Sequence, residues 1–185
     1  MVIAWVWILG VIWGGVYPLI KLAVVTIPPL TTALAQTGIA AIALLVAVAV
    51  STRDWRRLRA RAPQLLLMGI LNNVLPETLL AWSLRRIDSG LAAILIATMP
   101  TFTLGLAWTL PPRVRPTPGQ IGGIALGLAG VLILVGPFAW HGLGDSVLGQ
   151  CAVLGAALSY AGAAAYGRRL NDLSPLSASA GQLAG

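Results

Sequence analysis

The chain has 185 residues, 58% apolar and only 9% charged, with a mean hydropathy of +0.88. Soluble domains carry about 25% charged residues and disordered chains are poor in apolar ones, so both classes are excluded. The net charge is +7, but the arginines fall in short clusters between apolar runs rather than on one basic face, which argues against nucleic acid as a partner.

What remains is an all-α membrane protein, a polytopic helix bundle whose first partner is the lipid bilayer. A membrane-spanning helix needs roughly 20 apolar residues. Six runs qualify, at about 2–22, 29–50, 65–84, 89–110, 119–137 and 146–167, and a seventh opens near Pro175. The first run lacks a basic leader and an A-x-A cleavage site, so it reads as a span rather than a signal peptide. In it Trp13 and Tyr17 stand four residues apart beside Gly14, Gly15 and Pro18, either as an aromatic cavity wall or packed on the sixth span. Lys21 lies near the end of that run, where it can snorkel to the headgroups. The second run carries Gln36 at mid-membrane, either lining a path or joining helices.

The third run holds Asn72, Asn73, Pro76 and Glu77. Ionisable residues at this depth are costly and by default mark a pathway. Asn73 is one turn before Glu77, hence on the same face. Pro76 has no N–H to give, which should leave the Asn72 carbonyl free. Carboxylate, amide and unpaired carbonyl together suit a polar substrate or a proton carrier; the plain alternative is a protonated Glu77 bonded to a neighbouring helix. The fourth run repeats the device, with Thr98 and Thr101 on one face and Pro100 freeing the Ile96 carbonyl. Helices should bend near Pro76 and Pro100. Gly10 and Gly14, Gly123 and Gly127, and Gly155, Ser159 and Ala163 form small-residue seams. Such seams let helices approach closely in lipid; they read as packing within one bundle, with homodimerisation as the alternative.

Orientation follows from basic residues in short loops. The loop 51–64 holds Arg53, Arg56, Arg57, Arg59 and Arg61; Arg113 with Arg115 and Arg168 with Arg169 fall on the same side. Lys21, Arg85 and Arg86 fall on the other, the last two next to Asp88. The arginine-rich side should be cytoplasmic, with the N-terminus inside and the 23–28, 85–88 and 138–145 connections outside.

A shift of 146 residues lays the stretch Pro29-Leu30-Thr31 through Gln36 on Pro175-Leu176-Ser177 through Gln182. With one residue of slippage Trp13 falls on Tyr160 and Lys21 on Arg168, which makes Tyr160 a further cavity candidate. Weak internal similarity of this kind marks repeat-built transporters. The repeat holds five helices, so a second copy would enter the membrane inverted, as the loop charges independently require. The expected division is a first repeat over 1–145 and the start of a second over 146–185, within a protein of about ten helices.

The chain resembles the drug/metabolite transporter superfamily in its EamA-type branch of ten-helix permeases. The resemblance rests on Trp13-Gly14-Gly15 with Lys21, Gly69-Ile70-Leu71-Asn72-Asn73-Val74-Leu75-Pro76, Ala81-Trp82, Ile87-Asp88-Ser89-Gly90, Pro100-Thr101-Phe102, Gly136-Pro137, and Ser159-Tyr160-Ala161. Against the family pattern, Gln36 replaces an arginine, Glu77 an aromatic residue and Ile96 an asparagine, and Pro-Pro-Arg-Val-Arg replaces an acidic loop residue. The resemblance implies a secondary transporter in the cell inner membrane, exporting small metabolites or drug-like molecules by alternating access and using no cofactor. Trp13, Tyr17, Gln36, Asn72, Asn73, Glu77, Thr98, Thr101 and Tyr160 would line the cavity, with Lys21 as the motif charge. This length alone is expected not to transport. The alternatives are a non-transporting scaffold or assembly fragment, and a half-size exporter working as a homodimer.

A membrane enzyme fits less well. His141 is expected in an outward loop and Cys151 among apolar neighbours, so no base stands beside a nucleophile. No spacing suits a metal, and Gly119-Gln120-Ile121-Gly122-Gly123 lacks the Lys-Ser/Thr of a nucleotide loop.

Overall fold

The computed structural model describes residues 2–51, 55–110, 115–142, 146–170 and 172–184. Arg53 and Arg113 of the basic loops lie outside the described residues. The elements are helices throughout: Val2–Thr26 (the first span), Pro29–Ser51 (the second), Ala62–Ser83 (the third), Ser89–Thr109 (the fourth), Pro118–Gly142 (the fifth), Val147–Gly167 (the sixth), and a seventh helix Pro175–Ala184. Among the described residues, five helices are long and apolar enough to cross a membrane. The fifth adds 25 residues of apolar helix. The seventh, at 10 residues, rises only about 15 Å.

Three boundaries differ from the sequence reading. The first helix runs on to Thr26, so most of the expected 23–28 connection is helical. The fifth helix runs through Pro137 to Gly142, so 138–142 and the backbone of His141 are helical rather than looped. The basic loop also contains a short helix, Trp55–Ala60, whose Leu58 is buried. That helix is too short to show periodicity, and only its contact with the rest of the bundle fixes it.

Proline acts where expected, by two different routes. The third span carries a π-turn at Ile70–Val74 just before Pro76. The fourth is interrupted after Ile96 and restarts at Met99, with Pro100 in its new first turn.

The sixth span is the centre of the bundle. Its Ala152, Val153, Ala156, Ala157, Ser159, Ala161 and Ala163 are buried, against the third and fourth spans. Small side chains make this close approach possible, and in lipid such packing replaces the hydrophobic effect as the cohesive force. The seams of the first and fifth spans behave otherwise. A Cβ built on Gly10, Gly14, Gly123 or Gly127 meets nothing within 4 Å, so these seams meet no neighbour among the described residues. Large apolar residues such as Trp7, Val11, Val25 and Val50 are likewise exposed, as suits a surface solvated by lipid.

Each end of the bundle is tied by charge. At one end Lys21 Nζ donates to the Ile87 carbonyl at 2.8 Å and to Asp88 Oδ1 at 2.9 Å. There too Arg85 donates to the Val24 and Ile27 carbonyls at 2.8 and 3.0 Å. These include orphan acceptors of the first span's last turn, where a cation is doubly favoured. Arg86 covers the Trp82 ring at 3.6 Å, a cation–π contact. At the opposite end Arg61 donates to Asp172 Oδ2 through Nη2 and Nε at 3.0 and 3.2 Å. The Arg61–Asp172 side chains are 38% and 48% exposed, so Arg61→Ala should cost no more than about 1 kcal/mol. A guanidinium titration that found a drop several times larger would show that this pair, rather than packing, holds the end together.

Candidate functional site

Three spans bring their polar residues to one place. Glu77, half-buried in the third span, accepts a hydrogen bond from the Tyr160 hydroxyl of the sixth span at 3.0 Å. Tyr17 of the first span packs against the core that Leu80 and Ala81 of the third span and Val153 of the sixth help to form. Glu77 thus meets one phenol directly, at the contact of the third and sixth spans. Among the described residues no Lys or Arg makes a hydrogen bond or ion pair with Glu77 or Tyr160; Lys21, one turn after Tyr17, is bonded to Ile87 and Asp88. Thr78 Oγ1, next in sequence to Glu77, is buried with no partner among the described residues. That residue is not legible as a site candidate in the sequence, because its burial depends on the neighbouring helices.

Apolar packing surrounds the cluster. Towards the Lys21 end, Ile20, Val24, Leu80, Leu84, Ile87 and Val153 form a core that Tyr17 packs against. Towards the Arg61 end, Val48, Leu58, Leu65, Leu170 and Leu173 form a second core. Beside the second core lies a cavity of about 330 Å³ bordered by Met68, Leu170, Pro175 and Gln182.

The other candidates divide. Asn73 Nδ2 reaches the Gln182 carbonyl at 3.5 Å, the outer limit of a hydrogen bond, so it turns toward the seventh helix. Asn72 is half-buried one residue earlier, but its carbonyl is not the one served by an outside donor. The π-turn shifts the pairing by one residue: the Leu75 N–H bonds to Ile70, and Ser159 Oγ donates to the Leu71 carbonyl at 2.7 Å. Thr98 bonds its own helix, at the Leu95 carbonyl, at 2.6 Å. Thr101, Gln36 and Trp13 are exposed, Trp13 by 60%, and are not drawn into the Glu77–Tyr160 contact. Lys21 is held by Ile87 and Asp88 rather than left to the headgroups.

The model of the EamA-like transporter family matches residues 1–136. The chain belongs to the EamA-like transporter family. It is also 30% identical over 166 residues to the "Uncharacterized inner membrane transporter YedA" of Escherichia coli K12, covering 88% of this chain and 51% of that protein. The proteins of the same name from the O6:H1 and O157:H7 strains match equally. The chain therefore spans about half the length of the curated relatives it matches. No solved structure matches it significantly. The matched descriptions name a transporter and no substrate.

Tyr160→Phe should be the mildest test of the site. It removes one neutral donor to a carboxylate, worth about 1.5–3 kcal/mol when the acceptor is charged, and leaves the ring packing intact. Thermal stability in detergent should fall modestly while the helical circular dichroism holds. An unchanged melting temperature would mean that the Tyr160–Glu77 bond carries no energy.

Proposed function

We propose that this chain contributes the N-terminal part of a secondary transporter that moves a small molecule by alternating access, with Glu77 as the group that binds the substrate or carries a proton. The observation that supports this most is the Tyr160–Glu77 bond between the third and sixth spans. A carboxylate at this depth costs about 2.5–3.5 kcal/mol to insert, and no basic side chain offsets it among the described residues. A site of this charge favours a proton or a cationic, partly aromatic substrate over an anion, because phenol faces also attract cations.

The proposed organisation is a first repeat over 1–145 and the beginning of a second over 146–185. It is supported by the family match over 1–136 and by the sixth span's place against the third and fourth. The Tyr160–Glu77 bond would then join the two repeats, where movement of one against the other would break it. The proposed location is the inner membrane, as named for the relatives, with the N-terminus and the Arg56–Arg61 segment cytoplasmic by the positive-inside rule. Transport needs no catalytic residue and no cofactor on this reading. The open seams on the first and fifth spans are the surfaces on which a homodimer would form.

Transport is tested in vesicles holding the full-length protein, with cationic, zwitterionic and anionic aromatic compounds as substrates. Saturable flux of a cation driven by a proton gradient is expected, and flux of none of the three would end the transport reading. Topology is tested by Arg57→Cys in a protein otherwise free of cysteine. Labelling of intact cells by an impermeant maleimide would reverse the proposed orientation.

A further inference from the structure

Pro76 leaves one carbonyl in the third span without an intrahelical donor. The π-turn decides which. With the Leu75 N–H bonded five residues back to Ile70, the next position in that register, Pro76, stands opposite Leu71 and has no hydrogen to give. Ser159 fills the gap: its hydroxyl donates to the Leu71 carbonyl at 2.7 Å. Ser159 is only 6% exposed, so this donor comes from within the helix packing. The very next residue, Tyr160, donates to Glu77 at 3.0 Å. Two consecutive residues of the sixth span therefore hold both the irregular turn and the carboxyl group just beyond it.

We infer that Ser159 is a positioning residue for Glu77: its bond to the Leu71 carbonyl pins the π-turn, and the π-turn sets the helix face on which Glu77 meets Tyr160. One residue of helical register is worth about 100° of rotation. Relaxation of the turn to α geometry would carry Glu77 round the helix and away from Tyr160. π-turns inside α-helices recur at functional sites, and this one is secured by a side chain from another helix rather than by its own sequence. Its meaning for transport rests on Glu77 being the working carboxylate, but the bond and the register are independent of that reading.

The test reads the position of Glu77 without reading transport. The purified protein is treated with dicyclohexylcarbodiimide, which modifies carboxyl groups in apolar surroundings, and the initial rate at Glu77 is followed by mass spectrometry. Ser159→Ala and Ser159→Val should raise that rate by roughly tenfold, the factor set by leaving a buried acceptor unpaired. Ser159→Thr has nearly the shape of valine and keeps the hydroxyl, so it should stay near the wild-type rate. In a Tyr160→Phe background, Ser159→Ala should add little, because the bond through which it acts is already gone. A wild-type rate in Ser159→Ala overturns the inference. So do equal rates in the Thr and Val variants, and so does a full additional effect in the Tyr160→Phe background. Unfolding of both Ala and Val variants would also overturn it, in favour of a purely structural hydroxyl. Loss or retention of flux in Glu77 variants decides the transport reading separately.

Discussion

Glu77→Gln in the full-length protein should cut transport by roughly tenfold to a hundredfold while leaving expression and fold intact. The loss is the value of a charge-assisted contact, about 1.5–3 kcal/mol. The fold should hold because glutamine keeps the volume of glutamate and can still accept from Tyr160, while an amide is cheaper to bury than a carboxylate. The pH profile of flux should flatten too, since Glu77 is the one acidic group within a span among the described residues. Glu77→Phe restores the aromatic character usual in the family. It should be inactive if Glu77 works in transport and tolerated if the glutamate is incidental. Equal flux by wild type, Gln and Phe across pH would remove Glu77 from the mechanism and leave it a buried, hydrogen-bonded side chain.

The spans and the site's members are readable from the chain because each is a local property. An apolar run of about twenty residues announces a helix by itself, and an isolated Glu77 inside one stands out without any partner. The pairing is not readable in the same way. Tyr160 lies 83 residues from Glu77, and nothing local says which of the three tyrosines turns toward it. The freed carbonyl shows the limit most clearly. Pro76 alone points to Asn72 under α-helical counting; the π-turn moves the vacancy to Leu71, and the donor that fills it comes from Ser159, 88 residues away. Thr98 and Thr101 share a face by spacing, yet a threonine hydroxyl can always bond its own helix, and Thr98 does so. Lys21 reads locally as a charge reaching for lipid, because its partners Ile87 and Asp88 follow two helices later.

The glycines carry the same lesson and the sharpest structural prediction. Spacing alone marks Gly10, Gly14, Gly123 and Gly127 as seams, and none of them meets a neighbour among the described residues. Gly69 belongs to no such pattern. Yet a Cβ built there collides with the backbone carbonyl of Gln182 in the seventh helix, which has no side chain to move aside. Gly181, on the seventh helix itself, faces the flexible ends of Leu65 and Leu58. The same glycine-to-alanine change should therefore have three outcomes. Gly10→Ala should stabilise by up to about 1 kcal/mol, since alanine is the better helix former and nothing obstructs it. Gly181→Ala should be nearly neutral, because leucine ends can rotate away. Gly69→Ala should cost about 1–3 kcal/mol as overpacking against rigid backbone, by pushing the seventh helix off the third span. Ala180→Cys, at a position fully buried with 0% exposure, reports that movement once the exposed Cys151 is replaced by serine. Maleimide should spare the introduced thiol in the otherwise unchanged chain and in Gly181→Ala, and label it in Gly69→Ala. Protection of that thiol in all three backgrounds, with equal melting temperatures, would mean that the seventh helix does not rest on Gly69.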